Sequence, residues 1–374
     1  VEPIGADGTA RRGKVRTARG SFEVPVFMPV GTRGSVRALS THELAALRST
    51  DGQRVEVMLA NTYHLMLRPG AATVAELGGL HRFCGWRSHL LTDSGGYQVF
   101  SLGPRLSDEG AEFRSTYDGS LHLLTPESAV EVQELLGADI QMVLDVCAPL
   151  PAPPEVLRDA VRRTAAWAAR AKRAHRRHHD QALFGIVQGG VDPALRRESA
   201  ARTVALDFDG YGIGGLSVGE SREEMLGALA TTLAELPVDQ PRYLMGVGDP
   251  LSIVDAVALG VDMFDCVLPT RLARHGTLLT AHGRLNIKRR EFADADDPVE
   301  AGCGCATCTR YPRGYLRHLM TVGEPAGATL CTVHNLTWML DLLSRIRAAI
   351  GAGTLQALRR ELAEPYASMS PGAG

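Results

Sequence analysis

Short apolar runs, each closing on a glycine or a polar turn, recur along the chain. They are VFMPV (26–30), VEVMLA (55–60), HLLT (89–92), DIQMVL (139–144), LFGIV (183–187), GYGIG (210–214), RYLMG (242–246) and VDMF (261–264). Runs of this length, separated by helical patterns, read as buried parallel strands. Helix starts lie between several of them: Thr125-Pro126, Asp192-Pro193 and Asp249-Pro250 each set an N-cap residue before a proline. Ser221 with Glu224 forms a capping box, followed by Met225, Leu229 and Leu233 at helical spacing. Eight strand–turn–helix units without a dinucleotide-type glycine opening predict an α/β fold, a (β/α)8 barrel, ahead of a doubly wound sheet. A last helical stretch is expected over 338–362, before a Ser-Pro-Gly-Ala-Gly tail.

Polar residues follow these runs in a set. Asn61, Asp93, Asp145, Gln188, Gly215 and Asp265 each come directly after one. A barrel gathers such positions at its C-terminal mouth, where barrel enzymes hold their chemistry. Any one alone would pass as a turn or cap, but capping does not call for three carboxylates and an amide together. Two carboxylates can support exchange at a glycosidic carbon, one as nucleophile and one moving the leaving-group proton. A third carboxylate and an amide can read a purine edge. Gly189, Gly190, Gly214 and Gly215 let backbone N–H groups approach a flat ring, which Tyr97 and Met245 could sandwich. A sugar hydrolase would need a similar carboxylate pair.

Composition narrows the class. The 374 residues are 45% hydrophobic and 22% charged with a net charge of −2, enough apolar content for a large core and unlike a disordered chain. No run is long enough to span a membrane, and no signal peptide is visible in the Arg-rich start, although the chain begins without Met. Two segments break the neutrality. Residues 161–179 carry seven basic and no acidic side chains and read as the solvated face of a helix. Residues 266–290 carry six, also without an acid, and read as loop or strand beside Asp265, a feature suited to a phosphate-bearing polymer. Of seven cysteines, three crowd into CGCATC, which argues for an intracellular metal site rather than a disulfide framework. Cys303, Cys305 and Cys308 suit tetrahedral Zn²⁺ with His334 or Cys331 as fourth ligand, and a filled shell makes the site structural.

Longer motifs then sharpen the reading. TDSGGYQVFSL from Thr92, GIVQGG from Gly185, GGLSVGE from Gly214 and FDCVLPTR from Phe264 resemble the signatures of bacterial tRNA-guanine transglycosylases. NTYHLMLRPG from Asn61 and the CxCxxC set add to the resemblance, which runs in order from about residue 24 to about residue 340. It implies an irregular (β/α)8 barrel over 1–365 with a zinc-binding insert at about 291–335 and a flexible tail at 366–374. It also implies exchange of a tRNA guanine for a 7-deazaguanine base. Asp265 would be the nucleophile and Asp93 the general acid/base. Ser94, Asp145, Gln188, Gly215 and Leu216 would hold the base edge, with Tyr97 and Met245 on its faces. Arg271 and Arg274 would read anticodon-loop uridines. The resemblance favours His334 as fourth ligand of one Zn²⁺ per subunit, and a cytoplasmic homodimer with Tyr311, Tyr315 and Leu316 as candidate interface residues. The chain ends soon after the barrel, without the further RNA-binding domains of archaeal relatives, which points to the wobble guanine of GUN anticodons. Cys147 and Val218 match the tighter bacterial base pocket and imply 7-aminomethyl-7-deazaguanine (preQ1) as substrate. Val146, Ser217 and Asp249 depart from the usual pattern. A non-catalytic tRNA-binding subunit is the competing reading, although both Asp265 and Asp93 are present.

Overall fold

The computed structural model describes residues 1–367. Its central sheet has eight parallel strands: β1 (Val26–Pro29), β2 (Val57–Ala60), β3 (His89–Thr92), β4 (Ile140–Met142), β5 (Ala182–Val187), β6 (Gly210–Ile213), β7 (Arg242–Leu244) and β8 (Met263–Cys266). The order β1-β8-β7-β6-β5-β4-β3-β2 is that of a barrel opened at one seam. A parallel bridge between Val30 and Leu59, with Gly31 N donating to Leu59 O at 2.7 Å, joins that seam above the paired strands. Every run predicted from the apolar pattern is thus a barrel strand. β8 lies two residues later than the pattern suggests, so Asp265 sits inside its strand rather than after it.

The strands are short and almost wholly buried because helices cover their outer face. The predicted caps are present. Thr125, Asp192, Ser221 and Asp249 each accept a backbone N–H from the first turn of a helix, and proline follows three of them. Such caps satisfy amides that would otherwise lack a partner at the buried helix starts.

Four features lie outside the regular pattern. An antiparallel sheet of Glu2–Asp7, Ala10–Thr17 and Gly20–Val24 covers the N-terminal end of the barrel. It is pinned there by Arg11 on Asp262 (2.6 and 2.8 Å) and Arg19 on Asp139 (2.8 Å), two buried acids at the strand entrances. A second antiparallel sheet (Arg105–Leu106, Ala111–Arg114, Leu121–Leu124) is inserted between β3 and the helix Pro126–Leu136. The segment after Asp265, read as loop or strand, starts as a helix, Leu268–Arg274, with Pro269 in its first turn, and only then forms strands, in the hairpin Thr277–Thr280/Gly283–Asn286. The basic stretch 161–179 is helical only to Ala174, and its arginines are partly spoken for: Arg162 and Arg163 pair with Asp108 and Asp159, and Arg170 with Glu127.

The C-terminal region also differs from expectation. The stretch read as one helix is two, Pro325–Ala352 and Leu355–Tyr366, separated by Gly353 in the left-handed region. Tyr366, expected to begin the tail, is fully buried, and its hydroxyl donates to Thr280 O at 2.6 Å. The rest of the expected tail, 368–374, lies outside the described residues. Leu316 is also fully buried, packed in a small core with Val299 and Cys331, so it cannot serve an interface; Tyr315 is exposed and stacks on Tyr311. No helix among the described residues is long and apolar enough to cross a membrane.

Tyr366 gives the C-terminal helix a measurable anchor. Tyr366→Phe should cost about 1 kcal/mol, the worth of one buried hydrogen bond, and Tyr366→Ala about 3–5 kcal/mol through the cavity it leaves. Denaturant unfolding of the two variants would check the order; equal stability of Tyr366→Ala and the native chain would contradict the packing described.

Candidate active site and metal centre

Asp93 follows β3 and is held on both oxygens. Asn61 Nδ2 donates to Oδ2 at 2.6 Å, and the amides of Thr62 and Gly95 donate to Oδ1 at 2.9 and 3.0 Å. Asn61 is itself the N-cap of the helix Thr62–Leu67, so the start of one helix fixes the carboxylate of the next strand. Gly95 is glycine because its φ is +78° and a Cβ there would lie 3.0 Å from the Tyr63 amide nitrogen. Burial pushes the Asp93 carboxyl up to about 7, and the Asp265 charge adds to the shift against the three donors. A carboxyl poised near neutrality can give a proton and take it back.

Asp265 faces the same mouth from β8. Its Oδ1 accepts from the Tyr243 hydroxyl at 2.6 Å and from Gly246 N at 2.8 Å. Burial raises its pKa, opposed by these two hydrogen bonds. Both fall on the same oxygen, which orients the carboxylate about that atom. Tyr243 is buried among the barrel strands, and burial with the neighbouring Asp265 charge holds its phenol well above the ordinary range, so it remains a donor.

Across the mouth, Gln188 Nε2 donates to Asp145 Oδ2 at 2.5 Å, both side chains being buried. Burial raises the Asp145 carboxyl to about 6 against that hydrogen bond. Gly215 comes next to this pair with φ +65°, and a Cβ on it would lie 2.2 Å from Gln188 Oε1. The loop Gly214–Leu216 is therefore built to run against the amide. Cys147 follows Asp145, and burial raises its thiol to about 12, leaving it a neutral, small wall. Leu216 is buried, Val218 and Met245 are half-buried, and the Val218 amide donates to Glu220 Oε2 at 3.0 Å. Tyr97 stands 63% exposed on the first turn of Gly96–Ser101. Ser94 is buried and its hydroxyl already accepts the Gly96 amide at 3.2 Å. Arg271 and Arg274 lie on the helix that follows β8; burial, then the charges of Arg37 and Arg271, hold Arg274 below the usual arginine range.

Two residues of this region, Arg196 and Tyr243, carried no sequence signal. Arg196, on the helix Pro193–Val204, is fully buried and donates to the carbonyls of Gly190 (2.6 Å), Gly214 (2.8 Å), Gly215 (3.2 Å) and Val187 (3.3 Å). Burial lowers its pKa to about 10, yet it stays charged at neutral pH. One guanidinium thus ties together both glycine loops beside Asp145 and Gln188. In the sequence it is one of two adjacent arginines in LRRES, and nothing in that string separates the buried one from the exposed one. Tyr243 was equally hidden, as an aromatic in an apolar run.

The departures from the usual pattern have local roles. Asp249 is buried, caps the helix Pro250–Ala258 through the Ser252 amide and pairs with Arg222 at 2.8 Å. Val146 packs in an apolar cluster with Leu157 and Trp167. Ser217 has φ +64°, and its buried hydroxyl finds no hydrogen-bond partner among the described residues.

The four expected metal ligands converge. Cys303, Cys305, Cys308 and His334 present ligand atoms all within 4.8 Å of one another. His334 Nδ1 lies 3.8, 3.7 and 3.3 Å from the three sulfurs. A tetrahedral ion with ordinary Zn–S and Zn–N bonds would set such edges at about 3.6 Å. His334 Nε2 is 2.8 Å from Leu279 O, an approach that places the ring proton there and turns the Nδ1 lone pair to the sulfurs. The donor set fits a four-coordinate cation with no open position. Cys331, the rival ligand, is buried in the apolar core beside Leu316 instead.

The chain matches the family model described as Queuine tRNA-ribosyltransferase over residues 7–368. It belongs to that family. Relatives bearing the same name include those of Symbiobacterium thermophilum (51% identical, covering 96% of this chain and 88% of theirs) and Moorella thermoacetica (50%, covering 96% and 95%). That of Bacillus mycoides is 49% identical, covering 97% of this chain and 95% of its own. A family of this name is one of transferase enzymes, and the barrel with its Cys3His cluster accords with the sequence reading.

The raised carboxyls carry a sign that can be measured. Between about pH 4 and pH 7 folded Asp93 binds more proton than the unfolded chain does, so its contribution to stability falls as pH rises through that window. Asp145 adds the same sign up to about pH 6. Relative to wild type, Asp93→Asn should therefore gain stability progressively from pH 4 to pH 8, read from denaturation midpoints. A pH-independent difference would show that Asp93 is not titrating in this range.

Proposed function

We propose that this chain is a tRNA-guanine transglycosylase that replaces the wobble guanine of GUN-anticodon tRNAs with preQ1 through a covalent Asp265–ribose intermediate. The observation that carries this reading is the pair of carboxylates, Asp93 and Asp265, turned to one partly buried mouth with different hydrogen-bond surroundings. Asp265 acts as the nucleophile. With Oδ1 engaged by Tyr243 and Gly246, the other oxygen attacks C1′ of the target guanosine as the bond to N9 breaks. Protonated Asp93 gives its proton to the departing guanine and, as carboxylate, then takes the N9 proton of the incoming base. N9 attacks C1′ and the Asp265 ester bond breaks. Two inversions leave the ribose configuration retained, and one glycosidic bond replaces another without ATP.

Base recognition falls to Asp145, Gln188 and the backbone of Gly215 and Leu216, with Tyr97 and Met245 closing on the ring and Ser94 beside the edge. Arg271 and Arg274 read the flanking loop nucleotides of a flipped-out guanosine. Asp93 and Asp265 together disfavour the alternative of a non-catalytic tRNA-binding subunit. The Cys3His set holds one structural Zn²⁺ that ties the Cys303–Cys308 loop to His334 on the helix Pro325–Ala352. The enzyme works in the cytoplasm as a homodimer, for which exposed Tyr315 on Tyr311 offers an aromatic surface.

Labelled-guanine exchange into transcribed tRNA tests the reaction directly. Asp265→Asn should abolish exchange and the covalent adduct, and Asp93→Asn should cut turnover at least 100-fold, the usual scale of a lost general acid. Exchange that survives Asp265→Asn would overturn the mechanism.

The choice of base rests on Cys147 and Val218. A β-branched valine beside the seven-position crowds the cyclopentenediol of queuine, whereas a compact aminomethyl group can donate to the Leu216 carbonyl. Because carbon seven of preQ1 cannot take the proton that helps guanine leave, its incorporation is effectively irreversible. Wild type should incorporate preQ1 and not queuine, and Val218→Gly should gain queuine. Efficient queuine use by wild type would refute the pocket argument.

A further inference from the structure

The rim beside Asp93 carries a second basic site, away from Arg271 and Arg274. Arg33 lies just beyond β1, next to Thr32, whose carbonyl accepts the Asn61 amide at 3.2 Å. Arg68 ends the helix Thr62–Leu67, which begins on Asn61. Both arginines are exposed, and both guanidiniums lie over the ring of Tyr117, at 5.6 and 4.7 Å from its centre. Tyr117 stands at the tip of the inserted hairpin Ala111–Arg114/Leu121–Leu124, and its hydroxyl lies 2.9 Å from His64 Nδ1. The insertion therefore reaches back to the mouth and gathers two cations that start from different strands.

The charge of this cluster is unbalanced. Among the described residues neither Arg33 nor Arg68 meets a carboxylate. The nearest acid of the hairpin tip, Asp118, is engaged by Ser120 through its amide (3.1 Å) and hydroxyl (2.6 Å). His64 adds no charge, since burial and then the Arg33 charge hold its imidazole below the usual range. Two like charges held against one ring repel each other, and an anion that both can reach lowers that cost. Guanidinium forks match phosphate oxygens in pairs, which a lone lysine would not. The ring is occupied by the guanidiniums, so the cluster suits a phosphate rather than a stacked base.

We propose that Arg33 and Arg68, splayed on Tyr117, bind a phosphodiester of the anticodon loop on the Asp93 flank of the flipped guanosine. Arg271 and Arg274 then serve the Asp265 flank, and the backbone is held on both sides of the base it presents. This rests on the tRNA-guanine transglycosylase reading above.

The test uses the full chain with transcribed tRNA. Arg33→Ala/Arg68→Ala should raise the KM for tRNA about 10-fold or more, with the KM for free guanine and kcat within about twofold of wild type. The slope of log Kd against log salt, from fluorescence anisotropy of labelled tRNA, should flatten by about 0.7 for each phosphate that is no longer neutralised. Arg33→Lys/Arg68→Lys should keep most of that slope while losing part of the affinity, and Tyr117→Phe, which keeps the ring, should keep both. An unchanged tRNA Kd and salt slope in the double alanine variant would overturn the proposal. So would a loss of thermal stability and of guanine affinity together, because that would make the arginines props for the hairpin. Anisotropy needs no turnover, so a wild type that binds tRNA without exchanging guanine would refute the proposed reaction and leave this binding result readable.

Discussion

Two carboxylates cannot share a partly buried mouth without one of them holding a proton more tightly, and much of the site is arranged around that constraint. Desolvation alone raises both Asp93 and Asp265, and the Asp265 charge raises Asp93 further. The surrounding donors then set them apart. Asp93 is bound on both oxygens by the capped start of a neighbouring helix, whereas the hydrogen bonds of Asp265 fall on one oxygen. Different environments for like groups let one site keep one carboxyl protonated and another ionised at the same pH.

The rest of the barrel supports this by making the mouth rigid. Closure of the strand seam through Gly31 and Leu59 brings β1 and β2 together just below Asn61. The N-terminal sheet seals the opposite end with ion pairs to Asp262 and Asp139. Beside Asp145 and Gln188, Arg196 spends its hydrogen bonds on backbone carbonyls rather than on an acid. Such a charge is tolerable in the interior because the carbonyl dipoles solvate it, and in return two glycine loops are held in one arrangement. The Cys3His cluster would do the same for the Cys303–Cys308 loop with a metal bound, since His334 lies on the helix Pro325–Ala352.

The insertions convert a common scaffold into a specific one. A bare barrel would offer an open bowl of polar groups. The hairpin after β3 adds Tyr117 to its rim, and the helix after β8 adds a basic edge beside Asp265. These additions set aromatic and basic side chains around the mouth that holds Asp93 and Asp265.

How much of this was legible depended on the range of the interaction. The eight barrel strands, the caps at Thr125, Asp192, Ser221 and Asp249, and the three cysteines of CGCATC all follow from local pattern or spacing, whereas His334 was preferred to Cys331 only through the family resemblance. The polar residues Asn61, Asp93, Asp145, Gln188 and Asp265 could also be picked out, because parallel strands must deliver their C-terminal ends to one side. Long-range packing was not legible. Leu316, Tyr366 and Cys331 look like surface, tail and ligand candidates in the sequence, and only the fold shows them buried. Arg196 and Tyr243 sit in unremarkable strings, and the buried carbonyls and the carboxylate that define them come from elements distant in the chain. Sequence thus determined the period of the elements and the chemical groups at their ends. Tertiary structure alone decided which oxygen of Asp265 is restrained, which arginine is buried and which two converge on Tyr117, because burial and pairing are properties of neighbours in space.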